Sequence, residues 1–158
     1  MTFAKTALMF ALMLPAMAQA QGVIDTHFNA GSCFLRNYGP SHLASHPDQL
    51  VRSILLAPVP LEAPKGTLLF NLMVNLRGSD DYPSGIAYCN ATGKIMACQM
   101  EGDAGSFTLT AQDRNALLLT VGKFGIVLEG QDNIITISGT SGDDRAFLLG
   151  NVSTAFCN

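Results

Sequence analysis

His42 and His46 are separated by Leu-Ala-Ser, so on a helical turn the two imidazoles would share one face. Two neutral imidazoles on one face are half of a zinc or nickel site. The other half is missing. The helical zinc-protease motif carries a glutamate directly after its first histidine, where this chain has Leu43. No third ligand is indicated, so His42 and His46 remain candidates only. The sequence assigns no metal and no cofactor, and predicts a polar loop.

Carboxylates recur at turns: Asp80 with Asp81, Glu101 with Asp103, Asp143 with Asp144. The run Gly139-Thr-Ser-Gly-Asp-Asp144 has the composition of a calcium-binding glycine–aspartate turn. That motif works as a stacked repeat, and this is a single imperfect copy. The expectation is therefore ordinary solvated turns. A glycosidase acid–base pair is not singled out by carboxylates scattered in this way. Thr140-Ser141-Gly142 is close in composition to a nucleophile elbow, but no Gly-x-Ser-x-Gly is present. There is no phosphate-cradling glycine loop and no dinucleotide fingerprint. No catalytic residue is assigned.

The four cysteines are Cys33, Cys89, Cys98 and Cys157. No Cys-x-x-Cys occurs, which removes the thioredoxin-type redox motif, and the spacings do not match close-paired zinc ligands. Turn chemistry proposes a pairing. With Gly93 and Lys94 as the two central residues of a type II′ turn, glycine occupies the position of positive φ. Counting outward, Thr92 faces Ile95, Ala91 faces Met96, Asn90 faces Ala97 and Cys89 faces Cys98. The kind of pair alternates, so the cysteines meet at a non-hydrogen-bonded position, where Cα atoms approach most closely. Cys33 and Cys157 are left to tie the ends of the domain together. The sequons at Asn90 and Asn151 matter only in a eukaryotic secretory pathway, and Asn90 falls inside the hairpin.

An even cysteine count reads as disulfides only in an oxidising compartment. The first twenty residues predict one. Lys5 precedes an apolar run at residues 7–15, followed by Ala-Met-Ala-Gln-Ala ending at Ala20. This is the pattern of a cleaved secretory signal over residues 1–20, with cleavage between Ala20 and Gln21. The run is too short for a membrane span, which takes about 20 apolar residues. No later segment qualifies, so no integral membrane segment is expected after signal removal. The expected location is periplasmic or secreted.

Residues 21–158 suit one domain. The formal charge of the whole chain is −3, and losing Lys5 makes it one unit more negative. With no basic cluster, there is no electrostatic case for nucleic acid.

The elements that must carry these residues are strands. Apolar runs of strand length fall at 33–38, 50–56, 67–77, 86–92, 95–100, 106–110, 116–121, 126–129, 134–138 and 145–149. Residues 67–77 alternate most clearly, with Leu68, Phe70, Leu72, Val74 and Leu76 on one face. A single helical turn is expected at 41–46, ended by Pro47. Residues 23–31 read as an irregular lead-in. The proline-bearing stretch 57–66 and the loop 78–85, with Tyr82, are expected connections and candidate binding tips. The fold class is all-β: one antiparallel barrel or sandwich of about nine short strands, at most one short helix, and two disulfides. The functional expectation is a non-catalytic binding or inhibitor-like module for an envelope ligand or protein. The alternatives are a structural envelope protein and a small hydrolase of envelope sugars or peptides.

Overall fold

The computed structural model describes residues 32–92, 94–113 and 115–157. The expected signal at 1–20, its cleavage site at Ala20 and Gln21, the lead-in at 23–31 and the turn residue Gly93 lie outside the described residues. Nine strands follow in chain order: β1 (Cys33–Asn37), β2 (Val51–Pro58), β3 (Thr67–Leu76), β4 (Ser84–Thr92), β5 (Ile95–Met100), β6 (Gly105–Asp113), β7 (Ala116–Glu129), β8 (Ile134–Ile137) and β9 (Ala146–Val152). One α-helix, α1 (Pro40–Ser45), joins β1 to β2, and single 3₁₀ turns cover Glu101–Asp103 and Thr154–Phe156.

All pairings are antiparallel. Eight strands close a barrel in the order β7–β9–β1–β2–β3–β4–β5–β6, with β6 pairing back onto β7. Of the two architectures expected, the barrel forms. Among the described residues, the ninth strand, β8, pairs only with β7.

The barrel interior follows from the period-2 pattern. On β3, Phe70, Leu72 and Val74 point inward and are buried. Facing strands add Phe34, Phe107, Phe147, Ile54, Leu56, Met96, Met100, Leu109, Leu117 and Leu119, each with under 2% of its surface exposed. An eight-stranded barrel is just wide enough either to be filled by side chains or to hold one small ligand. Here four phenylalanines and their aliphatic neighbours fill it.

The disulfide hairpin has the register read from its turn. Cys89 faces Cys98 and Thr92 faces Ile95. The two cysteines are bonded, with Cα atoms 4.0 Å apart. Both lie within the core. Cys33 is bonded to Cys157 across a sequence separation of 124. Alternation sends Phe34 into the core and Cys33 outward, yet Cys33 is fully buried. Its bond to Cys157 holds the C-terminal segment against β1.

Several boundaries differ from the sequence expectation. The segments 116–121 and 126–129 are one strand, β7, because Gly122-Lys-Phe-Gly125 bends the chain without reversing it. Gly125 has φ +78°, and a Cβ there would meet the Ile137 carbonyl oxygen at 2.7 Å. A Cβ on Gly139 would collide with the Gly122 carbonyl oxygen. These glycines let the bent strand pass close to its neighbours. β2 runs on to Pro58, where the prolines were expected to begin a loop, and β6 and β9 each end three residues later than expected.

Candidate functional site

One end of the barrel gathers most of the chemistry-bearing side chains. The end of β1, α1, the start of β2, the end of β3, β8 and the loop from β8 to β9 meet there. Pro40 sits in the first turn of α1, where its missing N–H is not needed.

His42 and His46 do share one face of α1, but as a stack. Their ring centroids are 4.1 Å apart at an interplanar angle of 16°. Tyr38 continues the stack below His42, with centroids 4.6 Å apart, and the Arg36 guanidinium lies 5.0 Å from the Tyr38 centroid. Nearly parallel rings keep their in-plane nitrogens in separate, nearly parallel planes, so the lone-pair directions do not converge on one point between them. One nitrogen of each ring is also committed. His42 Nε2 donates to Gln49 Oε1 at 3.0 Å, a direction fixed because Gln49 Nε2 donates to the Val51 carbonyl at 2.9 Å. His46 Nδ1 donates to the His42 carbonyl at 2.9 Å. In this geometry the pair fastens α1 over the barrel. Arg77, at the end of β3, adds a clamp by donating to the carbonyls of Leu43 and His46. Burial raises the Tyr38 hydroxyl above its ordinary pKa, against the lowering effect of Arg36.

Asp144 overturns the expectation of a solvated acidic turn. It is only 6% exposed. Its carboxylate accepts the N–H of Leu50 at 2.6 Å and that of Val51 at 3.2 Å, capping the start of β2 from 94 residues away. Loss of water pushes its carboxyl above the usual range, and the two N–H groups only partly oppose that shift. Gln49 is buried as well, at 3%. The sequence placed Asp144 among the turn carboxylates but not at its partners, which come from a distant segment; Gln49, hydrogen-bonded to nearby His42 and Val51, was not singled out.

Beside Asp144 lies an open groove of about 380 Å³. Ile135, Thr136, Ile137 and Ser138 form one wall, Asp48, Leu50 and Leu76 the other, and Ser141, Gly142 and Asp144 the end. The groove marks a gap in the sheet. Along one side of β7, β9 pairs with residues 116–120 and β8 with residues 126–129. Among the described residues, no strand bridges β8 to the start of β2. The histidines do not line this groove.

The remaining acidic turns lie along a second trough. Glu101, Asp103 and Glu129 line about 430 Å³ together with Ser84 and Met100. Asp80, Asp81 and Tyr82 line about 270 Å³ next to it, sharing Ser84 and Glu129. Asp81 is used locally, accepting the N–H groups of Tyr82 and Gln131. Asn75 Nδ2 pins the same loop through the carbonyls of Ser79 and Asp81. Tyr82, in the loop expected to be a binding tip, is exposed, as is Leu61 in the proline-bearing loop. Among the described residues, no group of three or more His, Cys, Asp or Glu side chains converges as a metal site.

Fold and site define a small disulfide-bonded antiparallel barrel, closed by eight strands and filled by its own side chains, with its polar machinery gathered at one end. No family model matches the chain, and no curated protein or solved structure matches it either. The two disulfides are compatible with an exported domain. Among the described residues, no helix is long and apolar enough to cross a membrane.

Proposed function

We propose that this chain is an exported binding module, periplasmic or secreted after loss of residues 1–20, that recognises a protein or other ligand of the cell envelope through its outer surface. The observation that carries the reading is the filled barrel. With the interior occupied by Phe34, Phe70, Phe107 and Phe147, recognition falls to grooves and strand edges outside. Loops and edges on a rigid β scaffold are well suited to that role. A hydrolase reading asks for a pocket lined by a histidine and an aspartate. The groove holding Asp48 and Asp144 contains no histidine, and His42 and Asp144 each serve backbone or side-chain anchoring.

The test is affinity capture from envelope extract with the oxidised chain immobilised. The expected result is one partner retained by the native chain, released by excess free chain, and lost when the disulfides are reduced and the chain unfolded. No specific partner at micromolar bait would overturn the proposal. So would turnover of envelope peptides or glycans by the purified chain.

A further inference from the structure

β8 is a free strand edge of unusual composition. Its sequence is Ile-Ile-Thr-Ile, all β-branched, with no charge and no proline. Natural edge strands are normally guarded by lysine, proline or a covering element. Which backbone groups face outward follows from two hydrogen bonds. Gly130 donates to the Asn133 carbonyl at 2.8 Å, making that a hydrogen-bonded pair. Alternation then makes Glu129–Ile134 and Val127–Thr136 non-hydrogen-bonded pairs. Val127 agrees, since its N–H goes the other way, to the Ala104 carbonyl at 2.8 Å. Ile134 and Thr136 therefore turn their N–H and C=O groups away from β7. Among the described residues these groups have no partner, and Ile134 is 68% exposed.

This edge borders the groove described above. Four residues offer about 13 Å of edge. Ile135, Ile137, Leu50 and Leu76 give the groove an apolar lining, while Asp48 and Asp144 are its only charged lining residues. The charge complement is a cation.

We infer that an extended peptide segment of a partner protein adds to β8 as a further strand, with apolar side chains over Leu50 and Leu76 and a lysine or arginine facing Asp48 and Asp144. The inference rests on the binding-module reading and names its partner class. Main-chain hydrogen bonds to Ile134 and Thr136 provide the attachment, and the groove walls select the side chains.

The test uses fluorescein-labelled acetyl-Thr-Val-Lys-Val-Thr-Val-amide, a version with glutamate replacing lysine, and a version with proline replacing the central valine. Binding to the oxidised chain is read by fluorescence anisotropy. The lysine peptide should bind, the glutamate peptide about threefold to fivefold more weakly, as expected for one exposed charge pair. The proline peptide should not bind. Thr136→Pro removes an outward N–H that the β7–β8 ladder does not use, a place where an edge strand tolerates proline. It should weaken the lysine peptide at least about tenfold while leaving the circular dichroism unchanged. Asp48→Asn, at an exposed position, should narrow the lysine–glutamate difference. Three results would overturn the inference: no lysine-peptide binding up to about 1 mM, binding indifferent to Thr136→Pro, or a wild-type dimer in sedimentation that Thr136→Pro dissociates, which would give the edge to a second copy. An envelope partner held equally by wild type and Thr136→Pro would sink the edge inference and leave the binding module standing. Wild type that binds neither the lysine peptide nor any envelope partner would remove both readings.

Discussion

Replacing both Cys33 and Cys157 by alanine should destabilise the domain more than any single core truncation. The bond closes a loop with a sequence separation of 124, against 9 for Cys89–Cys98. In the loop-entropy model the long closure contributes about 5 kcal/mol at 25 °C and the short one about 2.7 kcal/mol. The difference arises in the unfolded chain, since the long bond restrains nearly the whole domain there. Small domains have roughly 5–15 kcal/mol of stability in total, so loss of the long bond takes a large share. The Cys89→Ala/Cys98→Ala variant adds a packing loss, because both sulfurs sit in the core, whereas Cys33 lies outside the core cluster. That loss narrows the gap but acts on the folded state. Equilibrium urea unfolding of the oxidised wild type and the two double variants measures the total. Unfolding kinetics separate the origins: the Cys33→Ala/Cys157→Ala loss should fall mainly on refolding, and the Cys89→Ala/Cys98→Ala loss should also raise the unfolding rate. A Cys33→Ala/Cys157→Ala loss under about 2 kcal/mol would refute the loop argument.

Asp144 should give an inverted pH signature. Its folded carboxyl titrates above the unfolded value of 3.8, so the folded state holds the proton more tightly. Its contribution is fully present below the unfolded value and is lost as pH rises through the folded one. The stability difference between wild type and Asp144→Asn should therefore shrink from acid toward neutral pH in urea titrations; a difference that grows with pH would contradict the burial argument. Gly139→Ala puts a Cβ onto the Gly122 carbonyl oxygen. The expected loss is roughly 1–3 kcal/mol, read as a lower thermal midpoint. Gln49→Ala removes the bridge between His42 and Val51. It should cost about 1–3 kcal/mol and speed amide exchange at Leu43 in α1, while exchange in β5 stays near wild type.

What could be read from the chain was local, and what could not was convergent. The pairing of Cys89 with Cys98 needed only the offset from a two-residue turn, because side-chain facing in a hairpin is fixed by counting. The inward face of β3 was equally legible, since Phe70, Leu72 and Val74 announce themselves by alternation. β7 defeated the same logic. Glycines at 122 and 125 mark both turns and bends in sequence, and only the neighbouring strands decide which. Here Gly122 approaches Ser106 on one side and Gly139 on the other, so the chain continues instead of reversing. Closure of the barrel depends on β6 finding β7 while β9 finds its opposite side, a condition no single segment carries. Asp144 is the sharpest case. Beside Asp143 it looks like any acidic turn residue, yet it caps Leu50 and Val51 because β9 begins next to the start of β2. The same juxtaposition opens the groove: the carboxylate holds β2's first N–H groups in place, and β8 stops short of them. A candidate site made this way has no motif to find. It consists of an unpaired strand edge and the gap beside it, and both exist only after the barrel has closed.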